Sequence, residues 1–76
     1  MTEPRPIELR DDSIRLGQLL KLAGLVDSGA DVKLLLADGA VEVNGEVETR
    51  RGRQLADGDV VAFGGETVRV AAADRG

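Results

Sequence analysis

The chain has 76 residues, with ten Lys and Arg against fourteen Asp and Glu, no cysteine, no histidine and one aromatic, Phe63. That length suits one small domain burying about 60% of its unfolded surface, so neither a second domain nor a deep substrate cavity is expected, and without cysteine this sequence offers neither a disulfide nor a thiolate metal site. A net charge of −4 and a pI near 4.6 exclude a uniformly basic nucleic-acid binder, and the lone aromatic excludes a module that stacks bases on several rings.

Residues 1–6, with Pro4 and Pro6, read as a loose lead-in, followed by Ile7-Glu8-Leu9 as a short strand. Asp11, Asp12 and Ser13 stand just before a helical pattern, where short polar side chains cap free amides. Leu16, Leu19, Leu20 and Ala23 mark one apolar face, Arg15, Gln18 and Lys21 the opposite one, and Gly24 the stop. Gly17 lies inside this helix, at a cost of up to about 1 kcal/mol relative to alanine, for no reason visible in the sequence. Leu25 and Val26 link it to a second helix over 29–38, capped by Ser28, with Asp31 favouring the positive end of its dipole. Val32, Leu35 and Leu36 give that helix its apolar stripe, and Gly39 suits its C-terminus.

The period then switches to two. Val41, Val43 and Val47 alternate with Glu42, Glu46 and Glu48 around Asn44-Gly45, a tight hairpin signal. Arg50, Arg51 and Arg53 follow with no acid between Thr49 and Ala56. A turn at Asp57-Gly58-Asp59 leads to a strand ending near Phe63, and Gly64-Gly65 turns the chain into Glu66 to Val70. The tail from Ala71 is read as frayed. The fold class is therefore α+β: two short helices packed on a small, largely antiparallel sheet of three to five strands, a single domain over 1–76 with its core at about 7–70.

Arginine offers a planar fork of donors that fits phosphate, so Arg50, Arg51 and Arg53 are the leading binding candidates, with Lys33 on the second helix beside them. Their bland alternative is a solvated loop paired to Glu46 and Glu48. Ser28 reads first as a cap and Asn44 first as a turn residue. Asp57 and Asp59 supply too few oxygens for calcium. Without histidine or cysteine, and without a phosphate-binding loop or dinucleotide fingerprint, no enzyme and no cofactor are expected.

The order Ile14-Arg15-Leu16, Leu19-Leu20, Gly24 to Ser28, Lys33, Leu35, Gly39, Val41-Glu42-Val43-Asn44-Gly45 and Gly58-Asp59-Val60-Val61 resembles the S-four domain, also called the alpha-L motif. The likeness covers about residues 14–61, and Val47 to Arg53 gives it the flavour of the small stand-alone bacterial members. The resemblance implies non-catalytic RNA binding by the second helix and the hairpin after it. Carried over by position, it assigns contact to Arg15, Ser28, Lys33, Asn44, Thr49, Arg50, Arg51 and Arg53. The chain departs from the family at Gly29, where many members carry a basic residue after the serine.

The expected partner is structured RNA, ribosomal RNA or a ribosome-assembly intermediate above all, with ribosomal or RNA-processing proteins as further partners of a monomer. Four or five cations on phosphates would make log K fall by roughly 3 to 4 per tenfold rise in salt. No apolar run approaches the roughly 18 residues of a membrane span and no signal core is evident, so no membrane partner and a cytoplasmic location are expected. The competing classes are a protein–protein adaptor and a β-grasp sulfur carrier. The carrier needs a C-terminal Gly-Gly, whereas this sequence ends Asp74-Arg75-Gly76.

Overall fold

The computed structural model describes residues 4–10, 12–27 and 29–72. In chain order it forms β1 (Arg5–Glu8), β2 (Ser13–Arg15), α1 (Leu16–Leu22), α2 (Gly29–Ala37), β3 (Val41–Val43), β4 (Glu46–Val47), β5 (Gln54–Ala56), β6 (Val60–Phe63) and β7 (Glu66–Ala71). Five strands make one sheet in the order β1-β7-β6-β3-β4, and β2 and β5 pair apart from it as an antiparallel ribbon. Within the sheet only β1 and β7 are parallel, with Arg5 beside Val68 and Ile7 beside Val70.

Alternation explains the sheet's inner face. Val41 and Val43 of β3, Val61 of β6, and Val68 and Val70 of β7 are all buried, while Glu42 and Arg69 between them are exposed. Onto that face come Leu16, Leu19 and Leu20 from α1, Val32 and Leu36 from α2, and Leu55 from β5, all in one cluster. Each such leucine contributes roughly 1.5–3 kcal/mol on burial, which matters in a chain this short.

Both helices end in the same way. Gly24 and Gly39 have φ of 74° and 72°. Their amides donate to Lys21 and Leu36, and the next amides, of Leu25 and Ala40, reach back to Leu20 and Leu35. These are Schellman stops, which need a residue in the left-handed region and so favour glycine. Arg5 adds a side-chain hydrogen bond to the carbonyl of Ala23 at 2.6 Å, tying β1 to the end of α1.

Four expectations change. The lead-in is shorter than expected, since Arg5 and Pro6 belong to β1, an edge strand where proline's missing amide does little harm. The tail is ordered one step further: Ala71 ends β7, and the amide of Ala72 donates to Asp57. Ser13 does not cap α1 but pairs in β2 with Ala56. The cap position is Arg15, whose side chain makes no capping bond. The first amides of the helix find backbone partners instead: Leu16 donates to the carbonyl of Arg53 at 2.8 Å and Gly17 to that of Arg51 at 3.0 Å.

The fourth is the hairpin's parity. The two-residue turn pairs Val43 with Glu46 and Glu42 with Val47. Cross-strand partners share a face, so Val47 lies outward with Glu42, 58% exposed, and Glu48 falls on the inner side.

Candidate nucleic-acid interface

The loop from 48 to 53 is built around that inward glutamate. Glu48 is the one buried charged side chain among the described residues, at 6% exposure. One carboxylate oxygen, Oε2, accepts the amides of Thr49 and Arg50, both at 3.0 Å, and the Arg50 Nε at 3.2 Å. The other, Oε1, accepts Arg50 Nη2 at 3.3 Å and Arg53 Nη1 at 3.0 Å. The Arg50 guanidinium and amide, with Arg53 beyond them, hold the Glu48 carboxyl down to a pKa of about 2. The charged form is therefore kept at every ordinary pH.

The three arginines thus divide. Arg50 and Arg53 are ion-paired to Glu48, the bland reading of the loop realised through one of its two proposed acids. Arg51 lies outside that network and turns the other way. Its stem lies over Gly17 of α1, where an added Cβ would come within 2.6 Å of Arg51 Cγ and 3.2 Å of Cδ. The glycine that has no rationale in the sequence makes room for this side chain.

Arg51 borders two surface grooves. One, of about 310 Å³, runs between α1 and the start of α2 and is lined by Arg15, Gln18 and Lys21, with Gly17 and Gly52 in the same wall. The other, of about 540 Å³, lies along α2 and carries Lys33 and Thr49. Among the described residues, no acidic side chain lines either one. Elsewhere on the surface acids intrude, Glu8 in one concavity and Asp27 and Asp31 in another. An acid-free strip with four cations is what a phosphate backbone can dock on in an otherwise acidic field.

Of the residues singled out from sequence, Arg15, Lys33, Thr49 and Arg51 come together here. Asn44 is occupied elsewhere. At φ 53° it occupies the hairpin turn, its Oδ1 accepts the amide of Val60 at 2.9 Å, and its Nδ2 donates to Asp59 at 3.1 Å. Ser28 lies outside the described residues. Lys21 and Gln18 stand in the sequence only as the polar face of the first helix, although the three-residue spacing of Arg15, Gln18 and Lys21 signals a single row. Asp57 and Asp59 accept backbone amides of Ala72 and Ala56.

Two short helices, a hairpin leading straight from the second, and a cationic strip beside them define a small α+β domain of the alpha-L type. The chain belongs to the S4 domain family, whose model matches residues 7–71. It is 44% identical over 59 residues to the Escherichia coli (strain K12) "putative RNA-binding protein YbcJ", covering 78% of this chain and 84% of that one. It is 47% identical over 60 residues to the Bacillus subtilis (strain 168) "probable ribosome maturation protein RlbA", covering 79% and 84%. The solution structure of E. coli YbcJ, described as revealing an alpha-L motif involved in RNA binding, superposes with a TM-score of 0.70 at 38% identity over 95% of this chain and 92% of that one. The 30S ribosomal protein S4e of Thermoplasma acidophilum matches with a TM-score of 0.59 at 26% identity, over 79% of this chain and 32% of that one. Among the described residues no helix is long and apolar enough to cross a membrane.

Proposed function

We propose that this chain is a non-catalytic, monomeric RNA-binding protein of the cytoplasm that docks on structured RNA, ribosomal RNA or a ribosome-assembly intermediate foremost. The observation that carries this reading is the position of Arg51 between two grooves that no described acid lines, with Arg15 and Lys21 in one and Lys33 and Thr49 in the other. Cations converge there although the chain as a whole is negative. The names of the E. coli and B. subtilis relatives, one for RNA binding and one for ribosome maturation, support the same partner.

Docking is electrostatic. Arg51 supplies a fork for one phosphate, while Arg15, Lys21 and Lys33 act as further positive points along the backbone. Ser28 is a further candidate contact on its place in the sequence alone. The RNA is recognised by the spacing of its phosphates, in a shape that a folded stem presents and a loose single strand does not.

Fluorescence anisotropy with a ribosomal-RNA stem-loop across a salt series tests this. Arg51→Ala is expected to weaken binding roughly 10- to 150-fold, the worth of a charged hydrogen bond of about 1.5–3 kcal/mol. The salt slope should become shallower by roughly 0.7 to 0.9, because one phosphate is no longer neutralised. Wild-type binding that ignores salt, or no binding at all, overturns the RNA reading and favours a protein adaptor.

A further inference from the structure

The loop that carries Arg51 spends a buried carboxylate on its two other arginines. Glu48 could have left Arg50 and Arg53 to solvent by holding only the amides of Thr49 and Arg50. Instead both of its oxygens also accept guanidinium donors, Arg50 through Nε and Nη2 and Arg53 through Nη1. The side-on fork of Arg50, the edge that would grip a phosphate through two parallel bonds, is thereby occupied from within the protein. Arg53, at 34% side-chain exposure, is drawn inward on the same carboxylate.

A sequence of three arginines in four positions would attract any polyanion. The geometry reduces that attraction. Two positive charges share one negative charge, and only Arg51 is delivered to the grooves. We propose that Glu48 is a specificity-determining positioning residue: it occupies the side-on fork of Arg50, draws Arg53 inward and leaves Arg51 as the loop's reading arginine, so that RNA is held by its fit to the two grooves more than by loop charge. This rests on the RNA-binding function proposed above. It goes beyond it in naming the group that separates structured RNA from other polyanions.

The test is Glu48→Gln, compared with wild type on a ribosomal-RNA stem-loop and on poly(U) across a salt series. Glutamine keeps one acceptor for the loop amides and replaces the other oxygen by a donor, which turns the arginines away. The expected result is tighter poly(U) binding by at least about threefold, with the salt slope steeper by roughly 0.7 to 1.8 as one or two further phosphates are engaged. The preference for the stem-loop over poly(U) should fall by a similar factor. Weakening of both RNAs alike, or an unchanged preference, overturns the proposal while leaving RNA binding intact. Failure of the wild type to bind the stem-loop refutes the RNA-binding function itself, and the proposal with it. Should Glu48→Gln fail to fold, Arg50→Ala decides, because that side chain is 75% exposed. Stem-loop affinity within about twofold of wild type, with an unchanged slope, supports the proposal, and a loss matching Arg51→Ala overturns it.

Discussion

Replacing Gly17 with alanine separates binding from folding, because the two effects of the new methyl group run in different directions. In a helix alanine is favoured over glycine, by about 0.8–1.0 kcal/mol in the interior and by less in the first turn, where Gly17 stands second. Against this, its Cβ would stand 2.6 Å from Arg51 Cγ, where carbon atoms prefer about 3.5–4.0 Å. The arginine must therefore yield by about 1 Å. Its backbone cannot easily follow, since the carbonyls of Arg51 and Arg53 hold the amides of Gly17 and Leu16 at 3.0 and 2.8 Å. The stem rotates out of the groove instead. Urea unfolding should place Gly17→Ala within about 1 kcal/mol of wild type, helix gain offsetting steric cost. RNA affinity, read by anisotropy, should fall about tenfold or more, towards that of Arg51→Ala. The Gly17→Ala/Arg51→Ala double variant should bind no more weakly than Arg51→Ala alone, since both changes remove the same grip on phosphate. Wild-type affinity in Gly17→Ala, or additive losses in the double variant, would refute the idea that this glycine exists to seat Arg51.

Acid should loosen the loop through Glu48, whose pKa is lowered from 4.5 to about 2 in the folded chain. The stability this carboxylate contributes is complete above its unfolded value and is lost as pH falls from about 4.5 towards 2. Urea midpoints measured over that window should drop more steeply for wild type than for Glu48→Gln, and parallel curves would contradict the assignment. Asn44→Ala should destabilise by about 1–3 kcal/mol in the same assay, because the Val60 amide loses its acceptor and alanine resists a left-handed backbone. Asn44→Gly, free of the backbone penalty, should fall between alanine and wild type, and the reverse order would show that φ is not the cause.

The helices are legible because their apolar spacing is long enough to repeat: Leu16, Leu19, Leu20 and Ala23 are buried as the sequence suggests, and of Val32, Leu35 and Leu36 the first and last are buried and Leu35 is half-buried. The Asn44-Gly45 hairpin was equally plain. The β2–β5 ribbon was not, because Ser13-Ile14-Arg15 and Gln54-Leu55-Ala56 hold one large apolar residue each and three residues show no period. Counting alternation straight through the turn puts Val47 on the inner face, whereas it lies outward. Across two turn residues the parity inverts, and the same arithmetic would have exposed Glu48 as the inward acid. The arginine loop was recognisable as a charge cluster, but its division between Glu48 and the grooves depends on side-chain direction, which spacing alone does not encode.

The backbone bonds between the start of α1 and the 51–53 loop join positions more than thirty residues apart. A peptide spanning α2, the hairpin and the loop would carry Lys33, Thr49 and Arg51, yet would lack the helix that clasps them. Closing so long a loop costs chain entropy before any contact rewards it. The strip is thus complete only once the two ends of that loop have closed. A partner held on it would therefore report on the completed chain, and its grip would in turn oppose unfolding through mass action.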